Sequence, residues 1–528
     1  MNYIKFKGNL LRKYRSKPIE NSNTNKEEPL SSDLKKNIER ISTELGNSDD
    51  LVIRKINLGG KERFKAVIFF IDGIVEDAAV HKVVEALLHE GDSSSIQRVL
   101  QLYPEITEPL IHNVLEISEA SEVIEMDTLF HQLLTGNALL LMDGINTAIS
   151  IGVEGWEKRS VEEPQSQTVV KGPRDGFTED FRTNTSLIRR RIKSPDLWID
   201  SVVVGRVTKT KVGIAYIKGI VNDKIVDEVH ERIERINIDS ILESGNIEEL
   251  IEDQTLTPFP TINNSERPDT ISAGILEGRV AIIVDGSPFV LLVPALITDF
   301  FQSAEDYYQR ADIATLIRVI RYVAFFIALL GPSIYIAILT FHQEMVPTPL
   351  LISIAAQREG VPFPAFIEAL LMEVTFEILR EAGIRMPRAV GQAMSIVGAL
   401  VLGTAAVEAG FVSSAMVIVV AITAISNFVL PAINMAISVR MIRFIIMIGA
   451  AAFGLFGIIV CIILFVLHLC SLRSFGVPYT APMAPFVKED QKDAIFRLPK
   501  WALLTRPRLI SQQNNVREKT MSRMQPKA

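Results

Sequence analysis

Three glutamates, Glu368, Glu373 and Glu377, punctuate a stretch that is otherwise rich in apolar side chains. On a helix Glu373 and Glu377 share a face one turn apart, with Glu368 and Arg380 on either side. Two readings fit: a carboxylate-lined vestibule for cations, or a helix at a membrane surface exposing its charged face. Gly391, Ser395, Ala399 and Gly403 follow at every fourth residue. Such a stripe of small side chains lets helix backbones approach closely, or lines a tight passage between subunits. Asn427, Pro431 and Asn434 then break into the next apolar run. In lipid these groups must face a partner or a cavity, as part of an ion path or as structural hydrogen-bonding groups. Far upstream, residues 171–192 concentrate Arg174, Arg182, Arg189, Arg190 and Arg191. That density suits an anion or an acidic headgroup, or a hydrogen-bonded contact between subdomains or subunits.

Enzyme chemistry finds less support. The histidines (His81, His89, His112, His131, His230, His342, His468) are scattered, and His81 and His89 have no third ligand in register. The Gly136-Asn137 step lacks the Gly-Lys-Ser/Thr ending of a phosphate-binding loop. No catalytic residue, metal site or cofactor is expected. The net charge of −7 argues against a nucleic-acid binder.

The elements that must hold these residues fall into regions of different character. The fold class expected is an α/β soluble N-terminal region of two subdomains, followed by an all-α polytopic membrane domain. Residues 1–50, polar and poor in large apolar side chains, read as a disordered tail, with a basic stretch at Tyr3–Tyr14. Subdomain 1 spans 51–160: a buried strand Lys65–Ile71, a turn at Asp72-Gly73, a helix Ala78–His89, helical character over Ser94–Leu133, and a hairpin Leu139–Val153 around Asp143-Gly144. Subdomain 2 spans 161–310. There Ser201–Thr208 and Val212–Ile220 read as paired strands, Asp223–Ile236 and Asn246–Glu252 as helices, and Arg279–Pro294 as a hairpin around Asp285-Gly286. The repeated Asp-Gly turns hint at internal duplication. Cys461 and Cys470 stand about 13 Å apart if they share one helix, too far for a disulfide.

The membrane domain, 311–472, offers four spans, at 319–341, 389–407, 412–437 and 444–469, with a kink expected at Gly331-Pro332. The charged stretch 349–380 is interfacial, re-entrant or an extra span. A charge facing lipid costs about 2.5–3.5 kcal/mol on insertion scales, so its glutamates must face protein, water or headgroups. Arg310, Arg318 and Arg321 favour a cytoplasmic N-terminal region, and the tail 473–528 reads as basic and cytoplasmic. Four spans join these ends but leave Arg380, Arg385, Arg388, Arg440 and Arg443 on the outer side, against the positive-inside tendency.

Several blocks resemble the A subunits of GerA-type spore-germination receptors (the GerA/spore stage V protein AF family). These are Gly172-Pro173-Arg174-Asp175-Gly176-Phe177 leading to Leu187-Ile188-Arg189-Arg190-Arg191-Ile192, and Glu266-Arg267-Pro268-Asp269-Thr270 before the hairpin at Gly278–Pro294. The strongest is Phe363–Gly410, with Glu373–Pro387 and Ala405–Gly410 inside it. The resemblance spans roughly residues 50–505. It implies a subunit of a nutrient germinant receptor in the spore inner membrane, working with a transporter-like B subunit and a lipoprotein C subunit. It also implies a homo-oligomer forming a gated cation channel. The glutamates and the small-residue stripe become candidates for its path. A stage V-type auxiliary channel that amplifies germination without sensing nutrient shares the same blocks. Outside the family, a non-conducting membrane scaffold or a transporter component are the rival classes.

Overall fold

The computed structural model describes residues 29–58, 64–90, 120–155, 163–164, 167–385 and 404–517. They form two compact units, one within residues 1–41 and 52–156 and the other within 42–51 and 157–528.

The first unit opens with helix α1 (Leu34–Glu44), which buries Leu34, Asn37 and Ile41. The disordered tail expected over 1–50 is thus corrected from Pro29 onward. Apolar residues are sparse here, but they fall at helical spacing, and Asn37 exchanges hydrogen bonds with the Ser31 backbone (2.7 and 3.1 Å). Strands β1 (Leu51–Leu58) and β2 (Phe64–Ile71) and helix α2 (Asp77–Glu90) follow, then β3 (Ala120–Val123), helix α3 (Met126–Thr135), β4 (Asn137–Met142) and β5 (Ala148–Gly152). The helical character expected over 94–133 gives way to a strand at 120–123; residues 94–119 lie outside the described residues. The sheet order is β1-β2-β4-β5-β3. Strand β2 is apolar without alternation because both faces are covered. Ile68 and Phe70 pack with Val80, Val83 and Leu87 of α2, while α3 lies against β2, β4 and β5.

The second unit repeats this topology. Helix α4 (Phe181–Arg191) precedes β6 (Leu197–Val204) and β7 (Thr210–Ile217). Helices α5 (Asp223–Glu234) and α6 (Ser244–Ile251), β8 (Asn263–Ser265), helix α7 (Pro268–Leu276), β9 (Val280–Val284) and β10 (Val290–Val293) complete it. The sheet order β6-β7-β9-β10-β8 is antiparallel throughout. Each sheet therefore runs first-second-fourth-fifth-third, and Asp143-Gly144 and Asp285-Gly286 turn between the fourth and fifth strands in both. One sheet face packs with Leu187 and Ile188 of α4 and Ile271 and Ile275 of α7. The other packs with α5 and α6, and also with Phe475, Val477, Ala481 and Ile510. The segment expected to be a basic tail from 473 is therefore folded through 517. It pairs β11 (Arg473–Ser474) with β12 (Val477–Pro478) and completes an α/β core.

Between these parts lie the apolar helices. Helix α8 (Ala311–Phe341) continues past Pro332. Helices α9 (Thr348–Arg358) and α10 (Ala365–Arg385) divide the charged stretch. Helix α11 (Ser414–Phe428) ends before Pro431, so the run 412–437 is two elements. Most of the span expected over 389–407 lies outside the described residues. Helix α12 (Ile433–Ser471) holds a break at Gly454, with φ +60° and ψ −139°. The chain doubles back there. Ser438 Oγ donates to the Pro258 carbonyl and Thr257 Oγ1 meets His468 Nε2 at 2.9 Å, although thirty residues of straight helix would separate them by about 45 Å. A Cβ on Gly449 would lie 2.8 Å from Cys461 Sγ, and one on Gly454 3.0 Å from Phe341 Cβ. The expected single crossing at 444–469 is thus a helical hairpin with its tip at Gly454. Hydropathy averages along a run and does not register a turn made of apolar residues and glycine.

This reversal is directly testable. Gly449→Cys in a Cys470→Ser background should form an intramolecular disulfide with Cys461 on mild oxidation, read as loss of both maleimide mass tags under denaturing conditions. A straight helix would leave both thiols open to labelling.

Candidate functional site

Charge is buried in the helical part at four levels. At the first, Glu368 is fully buried, and its Oε1 accepts from the Ser413 backbone N–H (2.6 Å) and hydroxyl (2.5 Å). Ser413 is in turn the N-cap of α11. Arg358 Nε stands 3.5 Å from the other oxygen of Glu368. One and a half turns along α10, Glu373 accepts from Arg443 (2.5 Å), with both side chains buried. A turn further, Glu377 accepts from Arg440 (2.9 Å) and Arg380 (2.7 Å). Because Glu373 meets Arg443 while Glu377 meets Arg440, α10 runs antiparallel to the first half of α12. Glutamates four apart on one helix match arginines three apart on the other, each spacing being about one turn.

The fourth level is the entry of α8. Arg318, fully buried, donates to Asp306 (2.9 Å) and to the carboxylate and carbonyl of Asp493 (2.8 and 2.9 Å). Arg321 reaches the same Asp306 oxygen (2.7 Å) and the Phe301 carbonyl. Thr315 exchanges hydrogen bonds with the Arg497 backbone (3.1 Å each). Just before α8, the blocks 172–177 and 266–270 meet. Arg267 donates to the Pro173 carbonyl (2.9 Å) and Asp269 (2.7 Å), and the Tyr308 hydroxyl donates to the same Asp269 oxygen (2.5 Å). Burial, reinforced by that bond, holds the Tyr308 phenol above its ordinary range, so it remains a donor.

The other candidate residues are distributed more widely. Asn427 is buried on α11, with no hydrogen-bond partner for its Oδ1 among the described residues. Asn434 is half-buried at the start of α12, where its carbonyl accepts from Ser438. Gly391, Ser395, Ala399 and Gly403 lie outside the described residues. The arginines of 171–192 do not converge on one anion site. Arg189 is buried and grips Asp50 through two nitrogens (2.6 and 3.0 Å) and Ser48 (3.0 Å). Arg191 pairs with Asp175, Arg174 is exposed near Glu163, and Arg182 and Arg190 are half-buried on α4. Sequence reasoning took Arg440 and Arg443 for loop charges and left Arg358 and Ser413 unassigned. The misfit of Arg440 and Arg443 to the positive-inside pattern was itself the signal: they pair with Glu377 and Glu373 inside the helical part, and their three-residue spacing, like the four-residue spacing of the glutamates, is about one turn.

Removing one member of a buried pair leaves an uncompensated charge, at about 3–5 kcal/mol, whereas replacing both with apolar groups is often neutral. Arg443→Met should therefore lower the thermal stability of the protein in nanodiscs sharply, and Glu373→Leu added to it should restore most of the loss. Equal destabilisation by the single and double variants would refute a direct pairing.

The family model described as Bacillus/Clostridium GerA spore germination protein matches residues 39–509. Spore germination protein KA of Bacillus subtilis (strain 168) is 51% identical over 505 residues, covering 95% of this chain and 92% of that protein. Spore germination protein GerLA of Bacillus cereus is 41% identical over 478 residues, covering 90% and 96% respectively. The crystal structure of the N-terminal domain of the A subunit of the Bacillus megaterium spore germinant receptor GerK3 is 40% identical, with a TM-score of 0.40, covering 51% of this chain and 98% of that one. Matched over most of its length by both the family model and these relatives, the chain belongs to the GerA spore germination protein family.

Proposed function

We propose that the protein is the A subunit of a nutrient germinant receptor in the spore inner membrane, and that several copies form a gated cation passage. It acts with a transporter-like B subunit and a lipoprotein C subunit. The receptor role rests on the family relationship over residues 39–509. The conducting role rests on one observation: a ladder of glutamate–arginine pairs inside an apolar helical bundle. Ion pairs at membrane depth are costly to keep, and structural packing alone does not call for them.

The second α/β sheet and the C-terminal segment share a core, so both belong on one side of the membrane. An even number of crossings follows. Six satisfy this: α8, α10, the apolar stretch 389–407, α11, and the two halves of α12. This count returns Arg385 and Arg388 to the cytoplasmic side and takes Arg440 and Arg443 out of the loops, which removes the conflict with the positive-inside tendency. In the closed state the glutamates are neutralised by arginine and cannot act as bare cation ligands. Opening separates α10 from α12, frees Glu373 and Glu377 toward the passage, and leaves the small-residue stripe as its narrow wall.

The test is ion flux through the full chain reconstituted in liposomes with its partner subunits and a panel of germinants. Glu373→Gln weakens the α10–α12 pairing and should raise flux without germinant, while Gly403→Trp should reduce germinant-dependent flux. Absence of flux under every condition, with intact oligomers confirmed, would move the conducting role to a partner subunit.

A further inference from the structure

We infer that residues 493–501 form a membrane-surface collar, in which Phe496, Leu498 and Trp501 seat in the lipid headgroup layer where α8 enters the bilayer. The inference rests on the membrane orientation proposed above. The Arg497 backbone is held by the Thr315 hydroxyl through both its N–H and its carbonyl, and Asp493 and Ala494 are held by Arg318. The collar is therefore fixed to α8 at a known height. Thr315 lies four residues before Val319, where the expected span begins with Arg321 as its one charge, or about 6 Å along the helix axis. The headgroup layer is about 5–8 Å deep on each side of a roughly 30 Å core.

Apolar side chains at that height face outward. Phe496 is 58% exposed, and Leu498 and Trp501 are more than a third exposed. Along α8, to which the segment is bound at Thr315, Ile313, Leu316, Ile320 and Val323 are exposed as well. In water such a patch would carry a hydrophobic cost; at a membrane surface, ring side chains are the favoured occupants. The charges agree. Asp493 is taken up by Arg318, Glu489 faces Arg508 at 3.7 Å, and Asp490 accepts from the Arg508 backbone N–H, while Lys488 and Lys492 precede the collar and Lys500 lies in it, as an anionic headgroup layer favours. The chain would thus touch the bilayer twice at one place: by α8 passing through it, and by the collar resting on it.

The experiment uses the full chain in liposomes of phosphatidylcholine and phosphatidylglycerol, with its three tryptophans, Trp156, Trp198 and Trp501, changed to Phe. One reporter is Phe496→Trp and the other is Val323→Trp, each read by quenching with lipids brominated near the headgroup or near the methyl end. The collar is supported if both reporters are quenched, with Phe496→Trp quenched more by the shallow bromines than by the deep ones. If only Val323→Trp is quenched, the collar is overturned while the membrane orientation stands, and position 496 is covered by water or protein. If neither is quenched, the orientation fails and the collar with it. A spin label at Phe496→Cys in a Cys461→Ser/Cys470→Ser background retains all three tryptophans. Its relaxation by lipid-soluble oxygen above that by aqueous nickel must give the same answer, and the reverse order overturns the collar independently.

Discussion

One guanidinium holds three parts of this chain together. Arg318 is buried at the mouth of α8, where it binds Asp306 from the segment leading out of the α/β region and Asp493 from the segment that returns after the last helix. A charge placed there without partners would be expelled into water or would unravel the helix entry. With two carboxylates and a carbonyl in reach it becomes a clamp. It fixes the start of α8 to the segment that follows α12, because the chain re-enters the α/β core only after both halves of α12. The family blocks at 172–177 and 266–270 sit directly upstream, joined through Asp269 to Tyr308, three residues before α8 begins. The 172–177 segment is thus tied by hydrogen bonds to the residues that lead into α8.

Much of the α/β fold was legible. Runs such as Lys65–Ile71, closed by turn residues, are short, β-rich and apolar on both faces, and the Asp-Gly hairpins at 143 and 285 mark equivalent places in two like sheets. Local pattern is enough for elements of this kind. What stayed hidden was set by distant partners. The Leu34–Glu44 helix looks like a polar tail because its few apolar residues matter only once they meet a core. The C-terminal segment looks basic because the residues that bury it, Phe475, Val477 and Ile510, are thinly spread among charges.

The candidate site was half legible for the same reason. Glu368, Glu373 and Glu377 stood out by their type and spacing, as groups too costly to leave in lipid. Of their partners, Arg440 and Arg443 were assigned to loops, since hydropathy places charges at the ends of apolar runs, and Arg358 was given no partner. The pairing of α10 with α12 turns two separate oddities, acidic residues in a span and basic residues on the wrong side, into one ladder. Its chemistry differs from that of an open carboxylate ring. Glu373 and Arg443 are buried together, Glu377 is shared by Arg380 and Arg440, and Glu368 is held by Ser413 beside Arg358, so no carboxylate of the ladder stands bare.

The way the C-terminal segment completes the second α/β core also orders the chain in time. On the ribosome the sheet β6-β7-β9-β10-β8 and the helices α5 and α6 emerge first, yet the part of that core that receives Phe475, Val477, Ala481 and Ile510 stays open until every apolar helix has been made and the segment has come back. On the membrane arrangement proposed above, correct insertion of the helices is then a precondition for sealing this core. In that arrangement a chain that misplaces a single crossing strands its own C-terminal segment on the far side and leaves part of an apolar core open to the quality-control machinery.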